Sequence, residues 1–248
     1  MRQIILVSLL LLIVTWNGAG QAPDVSAPTG RPISWGKLIP NVASDQKRVW
    51  LFPWSVAHGK AWKPALAVTA TVAVLVALDP ADTPHFRRTS SFGRFNSIFS
   101  SNNTTLATAI VPASFYVAGL AARNSYARGT ALLAGEAVAD AEILTAVMKA
   151  VDRRLRPSAV PVNGDFSDTW FRGQSRSGSF PSGHTIAAFS VATVFSRRYH
   201  EHRWAPYVAY GLAGLIGFSR VSLSAHFPSD VFMGAALGYS ISRFAVLR

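Results

Sequence analysis

The hydrophobic and polar positions of this 248-residue chain form long apolar segments separated by short polar turns. Strand-like alternation is weak, and the segments are rich in alanine and leucine, which favours helices. Six such segments follow residue 63, at residues 64–78, 106–122, 130–151, 185–195, 206–218 and 231–246. The pattern therefore predicts an all-α fold, a helical bundle of about six core helices in a single domain.

Two features of these segments bear on packing. Small residues let helices approach closely, and we expect this at five glycines in the last two segments: Gly211, Gly214, Gly217, Gly234 and Gly238. Three acidic residues interrupt the third segment: Glu136, Asp140 and Glu142. We expect an exposed polar helix face there, and the alternative is that buried carboxylates pair with a cation.

The first 63 residues have a different composition. Residues 1–20 contain Arg2, an apolar stretch and then small residues, which predicts an export signal peptide or an uncleaved membrane anchor. Residues 21–63 are rich in proline, tryptophan and basic residues, which indicates a linker or a segment at an anionic membrane surface. The alternative is that these aromatic side chains pack onto the core. The helical domain is then residues 64–248.

The charge and the cysteine content restrict the function. The net charge is +12, but the basic residues are scattered through turns and no nucleic-acid-binding module is present, so we expect no nucleic-acid partner. The surplus suits anionic lipid headgroups and phosphorylated substrates better. The chain has no cysteine, which excludes disulfides, thiol catalysis and thiolate metal sites.

The first candidate motif places Lys149 seven residues before Arg156, a spacing that returns to nearly the same face of a helix. Pro157 is expected to end that helix. An ammonium and a guanidinium side by side can neutralise and orient a phosphate dianion. The alternative is a solvated basic helix end, since Arg153 and Arg154 lie alongside.

The second motif is Pro181-Ser182-Gly183-His184, directly before an apolar run. It predicts the start of a helix, where free backbone N–H groups, a glycine and the Ser182 hydroxyl can bind an anion. His184 could then give a proton to a departing alkoxide. The alternative is a serine N-cap followed by an incidental histidine.

The third motif places Arg220 ahead of His226, and Asp230 four residues after that histidine, with Pro228 in the first turn of a helix. A carboxylate that accepts from one ring nitrogen leaves the other free to attack, which would give a phosphohistidine. Arg220 would hold the phosphate oxygens through the transition state. Taken alone, a histidine and an aspartate at this spacing also form ordinary helix-end hydrogen bonds.

Together the three motifs, K-x6-R-P, P-S-G-H and S-R-x5-H-x3-D, resemble the type 2 phosphatidic acid phosphatase (PAP2) superfamily. That superfamily includes bacterial acid phosphatases, lipid phosphate phosphatases and vanadium haloperoxidases. The resemblance implies that His226 is the nucleophile, Asp230 its partner and His184 the general acid. It implies five phosphate ligands: Lys149, Arg156, Ser182, Gly183 and Arg220. It also implies no metal and no cofactor, with vanadate as a phosphate-mimicking inhibitor.

We therefore expect a phosphatase acting on a lipid phosphate or a small organic phosphomonoester at the outer face of the cytoplasmic membrane. A membrane span needs about 20 mainly apolar residues, and only residues 106–122 come close. Residues 64–78 are expected not to cross, and the alternative is that the whole domain is peripheral to the membrane. Two alternatives remain, a vanadium-dependent haloperoxidase and a non-catalytic binder of lipid phosphates. The motifs define the phosphate end of the substrate, and they define neither the rest of it nor the oligomeric state.

Overall fold

The computed structural model describes residues 31–161, 164–174 and 177–248. The regular elements within these ranges are all helical, so the prediction of an all-α fold is confirmed. The predicted signal or anchor at residues 1–20 lies outside the described residues. The eight α-helices of the described ranges are α1 (Leu38–Ala57), α2 (Trp62–Arg88), α3 (Gly93–Ile98), α4 (Ser101–Ala121), α5 (Ser125–Asp152), α6 (Gly183–Arg198), α7 (Ala205–Ser222) and α8 (Pro228–Ser240).

The six predicted apolar segments correspond to α2 and to α4 through α8, with a π-helical turn at Ile241–Val246 after the last. Polar residues at the helix starts explain several boundaries. Ser100 accepts a hydrogen bond from the N–H of Asn103, and Asn124 accepts from the N–H of Ala127, which satisfies N–H groups that the helix itself leaves free. Pro228 occupies the first turn of α8, as predicted.

Helix α5 ends earlier than the sequence predicted. It stops at Asp152, because Arg153 adopts a left-handed conformation with φ 42°. The backbone then bonds to a different part of the chain, and the N–H of Leu155 donates to the carbonyl oxygen of Thr169 at 2.8 Å. The prediction that Lys149 and Arg156 share one helix ended by Pro157 is therefore wrong, and Arg156 lies in the turn that follows.

Helix α6 lies at the centre of the bundle and packs against α5, α7 and α8. Glycines allow α8 to approach it closely. A Cβ atom on Gly234 would lie 2.9 Å from the Ser182 carbonyl oxygen, and one on Gly238 would overlap the carbonyl oxygen of Ile186. Gly217 is similarly tight, whereas Gly211 and Gly214 face open space, so the prediction of close approach is wrong for these two.

The segment before α2 is attached to the bundle through buried polar groups. Arg31 contacts both Asp45 and Glu136, the amide of Asn41 donates to Glu136 at 2.9 Å, and Gln46 donates to Asp140 at 2.8 Å. Glu136 and Asp140 are fully buried, which corrects the prediction of an exposed polar face. Their partners come from residues 31–46 and not from the motif cations. Glu142 alone of the three is exposed.

Within the predicted linker, residues 38–57 form α1, whose first half packs against α5. Its second half and the start of α2 stay exposed, including Trp50, Trp54 and Trp62.

Two of the described helices are long and apolar enough to cross a membrane, judged by length and composition alone. They are α2, with 6% of its most apolar window buried, and α4, with 22%. The sequence analysis singled out the region of α4 and not that of α2. The difference arises because α2 continues past residue 78 to Arg88 and is 27 residues long.

Candidate active site

The eight predicted site residues lie at one end of the bundle, because α5 and α7 end where α6 and α8 begin. Lys149 is in the last turn of α5, with Arg156 in the turn beyond it. Ser182 is the N-cap of α6, followed by Gly183 and His184 in its first turn. Arg220 is in the last turn of α7, His226 is in the loop after it, and Asp230 is in the first turn of α8.

The imidazole of His226 is held in a defined orientation. Its Nδ1 atom lies 2.7 Å from the carbonyl oxygen of Ser179. A carbonyl oxygen can only accept, so the ring proton is on Nδ1 and the Nε2 atom keeps its lone pair. The ring is 2% exposed, and burial lowers the pKa of His226, although Asp230 opposes this shift. The structure therefore presents a neutral imidazole with Nε2 available for attack.

The carboxylate of Asp230 lies beside this ring at 3.6 Å from Nδ1, and the Ser179 carbonyl takes the predicted hydrogen bond instead. One carboxylate oxygen accepts from the N–H of Phe227 at 2.9 Å and from the Ser179 hydroxyl at 2.5 Å. The other accepts from Arg154 at 2.6 Å. Burial opposes the charge, but the His226 ring, the Arg154 guanidinium and the Ser179 hydroxyl outweigh it and hold the pKa of Asp230 below its ordinary value.

His184 and Arg220 contact the start of α4. The Nε2 atom of His184 lies 2.9 Å from the Thr105 hydroxyl and 3.2 Å from the Ser101 carbonyl oxygen. Arg220 is fully buried and donates to the Ser101 hydroxyl at 2.8 Å and to the Phe99 carbonyl oxygen. Burial, reinforced by the charge of Arg220 and by His226, lowers the pKa of His184 to about 4. The start of α4 therefore forms one wall of the site, a feature that the motifs did not reveal.

The start of α6 supplies hydrogen-bond donors. The backbone N–H of Ser182 donates to the Asp230 carbonyl oxygen at 3.1 Å, so this N–H is not free to bind an anion. The Ser182 hydroxyl accepts from Thr185 at 2.9 Å and keeps its own hydrogen. Within the described ranges, no acceptor is found for the N–H groups of Gly183 and His184. A Cβ atom on Gly183 would lie 3.8 Å from the Nζ atom of Lys149. The ammonium group of Lys149 is therefore close to the start of α6, where these N–H groups lie.

The three predicted cations are close enough for the charge of one to change the pKa of the others. Burial and the charge of Arg156 lower the pKa of Lys149. Burial and the same guanidinium lower the pKa of Arg220 to about 10. None of the three forms an ion pair with a carboxylate of the described residues. Converging, uncompensated cations beside free N–H groups are suited to binding a small oxyanion.

Several residues of this region were missed in the sequence. Arg154, named only in the alternative of a solvated helix end, is 1% exposed and bridges Asp230 and Asp79. Ser179, which holds His226, precedes the second motif and matches no pattern. One available signal was Asp79, because an acidic residue in a long apolar helix requires a partner. In the described part of the chain, no group of three or more histidine, aspartate and glutamate side chains could hold a metal ion.

Comparison with known proteins agrees with the motifs. Residues 128–247 match the family model described as the PAP2 superfamily. A lipid A 1-phosphatase of Porphyromonas gingivalis is 43% identical over 61 residues, which cover 24% of this chain and 14% of that protein. A lipid A 1-phosphatase of Rhizobium etli is 34% identical over 96 residues, covering 39% of this chain and 40% of that protein.

Each match therefore spans two fifths or less of the relative's own length. Among solved structures, a transmembrane PAP2 type phosphatidylglycerolphosphate phosphatase from Bacillus subtilis aligns with a TM-score of 0.49 at 20% identity. That alignment covers 73% of this chain and 92% of the solved one.

Proposed function

The chain belongs to the PAP2 superfamily through residues 128–247, and on this premise we propose that it is a lipid phosphate phosphatase with His226 as its nucleophile. One observation carries the proposal. The imidazole of His226 is fixed by the Ser179 carbonyl with Nε2 free, at the end of the bundle where Lys149, Arg156 and Arg220 converge. A nucleophile and an oxyanion cradle at one place are the two components that phosphoryl transfer needs.

In the first proposed step the phosphate dianion binds to the three cations, to the Ser182 hydroxyl and to the N–H groups of Gly183 and His184. The Nε2 atom of His226 attacks phosphorus, and the bond between phosphorus and the lipid oxygen breaks. His184 in its protonated form gives its proton to the departing alkoxide, which leaves as an alcohol. The product at this stage is a phosphohistidine.

In the second step a water molecule attacks the phosphohistidine. Neutral His184 takes a proton from this water, the bond between nitrogen and phosphorus breaks, and inorganic phosphate leaves. His226 recovers its lone pair and His184 is protonated again, so both histidines are back in their starting state. The fixed cations stabilise the charge on the phosphate oxygens in both steps, so the proposed reaction needs no metal ion. Vanadate would occupy the same cradle as an inhibitor.

The substrate class follows from the surroundings of the site and from the relatives. Two relatives are named lipid A 1-phosphatase, so a phosphorylated glycolipid is the first substrate to test. The apolar helices α2 and α4 both reach the site, through Asp79 and Ser101. We infer that these helices are embedded in the membrane and that acyl chains of the substrate lie against them.

The charge distribution supports an outward-facing site. The turns at the opposite end of the bundle carry basic residues at Arg123, Arg128, Arg197, Arg198, Arg203, Arg243 and Arg248. By the positive-inside tendency we expect these turns to be cytoplasmic, and we propose that the catalytic face is on the extracytoplasmic side of the cell envelope. With an export signal or anchor at residues 1–20 ahead of the domain at 64–248, this orientation requires that α2 lies in the membrane without crossing it, because a crossing would put its site end on the cytoplasmic side.

The test is phosphate release by the purified chain in detergent with EDTA present. Substrates are a lipid A preparation, phosphatidate, an isoprenoid diphosphate and p-nitrophenyl phosphate, with and without vanadate. We expect vanadate-sensitive release from a lipid phosphate and none from the His226→Ala variant. Release that disappears in EDTA would contradict the metal-free mechanism. No release from any substrate would reject the function, and halide oxidation that depends on vanadate and peroxide would instead indicate a haloperoxidase.

A further inference from the structure

A buried ionic bridge connects helix α2 to the catalytic carboxylate. Arg154 donates to Asp230 Oδ1 at 2.6 Å through one terminal nitrogen and to Asp79 Oδ2 at 2.7 Å through the other. Asp79 and Asp230 are fully buried, and Arg154 is 1% exposed. The guanidinium therefore joins two carboxylates that lie about 150 residues apart in the chain. Ser229, the neighbour of Asp230, contacts Asp79 as well.

The guanidinium is fixed by further hydrogen bonds and by two aromatic rings. Besides the two carboxylates, it donates to the Ser229 hydroxyl at 2.8 Å and to the Thr169 hydroxyl at 3.3 Å. The rings of Phe227 and Trp170 lie 3.9 and 4.5 Å from its central carbon. A planar fork with this many partners has one orientation, which a lysine at the same position could not reproduce.

Asp79 anchors the other end of the bridge. Its Oδ2 atom also accepts from the Ser229 hydroxyl at 2.5 Å, and its Oδ1 atom accepts from the Ser229 N–H at 3.3 Å. The part of this helix before Asp79 is mainly apolar and largely exposed. A buried carboxylate in such a helix is costly unless it is paired, and here its partners all belong to the site end of the bundle.

We propose that Asp79 is a positioning residue for the phosphatase reaction, acting through Arg154 on Asp230. With Asp79 present, one guanidinium is held between two carboxylates and donates to Oδ1 of Asp230. Asp230 can then direct its other oxygen to Ser179 and Phe227, which fixes the backbone that orients His226. Without Asp79, the guanidinium loses the acceptor of its second terminal nitrogen and no longer holds Asp230 in one position. This inference rests on the proposed function.

The experiment compares Asp79→Asn with Asp82→Asn, a matched control because Asp82 is exposed three residues later on the same helix. Each full-length variant is purified in detergent, and vanadate binding is titrated to count intact phosphate sites. We expect kcat per titrated site to fall about tenfold or more in Asp79→Asn, with the vanadate affinity and KM within twofold of the unmodified protein. Asp82→Asn should be unchanged.

A purely structural role would lower the number of titrated sites and leave kcat per site unchanged, which would overturn the inference. If Asp79→Asn does not fold, Ser229→Ala decides, since it removes the hydroxyl that touches both Asp79 and Arg154. A fall of about threefold or more in kcat per site supports the inference, and no fall rejects it. These outcomes are distinct from failure of the proposed function, in which the unmodified protein itself releases no phosphate.

Discussion

His226 directs its Nδ1–H to the carbonyl oxygen of Ser179, at 2.7 Å. The carboxylate of Asp230 is farther from the same atom, at 3.6 Å. A backbone carbonyl cannot be removed by substitution of a side chain, so the tautomer that exposes Nε2 does not depend on Asp230 alone. The two residues of the third motif should therefore differ in their sensitivity to mutation.

We expect His226→Ala to lower kcat by about 10⁴-fold, since it removes the attacking atom. Asp230→Asn should lower kcat by roughly 10–100-fold, the range typical of groups that orient another residue. Initial rates of phosphate release from a lipid phosphate check both values. Equal losses in the two variants would contradict the role of the Ser179 carbonyl, and full activity of His226→Ala would reject the mechanism.

The pH dependence should identify His184 as the proton donor. Burial, Arg220 and His226 lower the pKa of His184 to about 4, and burial lowers the pKa of His226. His226 is thus neutral in weakly acidic solution, whereas the protonated fraction of His184 increases as the pH falls towards 4. We expect kcat/KM for a lipid phosphate to increase as the pH is lowered from 8 to about 5.

The leaving group provides the control. The p-nitrophenolate ion departs without a proton, so its release should depend less on His184. His184→Ala should lower kcat for a lipid phosphate by about 10²-fold or more and affect p-nitrophenyl phosphate much less. An equal loss with both substrates would show that His184 serves binding and not proton transfer.

The sequence predicted most of the helices and all eight candidate site residues at one end of the bundle, because both depend on local patterns. Apolar segments mark helices, and short motifs mark helix ends. The end of α5 was misplaced, since Pro157 suggested a later stop than the one that Arg153 and the bond between Leu155 and Thr169 impose. That bond joins two loops, and no local signal indicates it.

Buried polar pairs were the main omission. Arg154 was assigned no role in the site, because its partners, Asp79 and Asp230, are distant in the chain. Glu136 was placed on an exposed face for the same reason, since its partners Arg31 and Asn41 precede it by about a hundred residues. Composition and periodicity indicate whether a residue is polar. They do not indicate which distant residue will pair with it.

The glycines of α8 should tolerate substitution very differently from Gly211 and Gly214 of α7. A Cβ atom on Gly238 would overlap the Ile186 carbonyl oxygen, which belongs to rigid backbone, so we expect Gly238→Ala to destabilise the protein by roughly 1–3 kcal/mol. A methyl group on Gly214 would meet no atom within 4 Å, and Gly214→Ala should be neutral or slightly stabilising. Thermal unfolding in detergent measures both, and equal effects would contradict the close approach of α8 to α6.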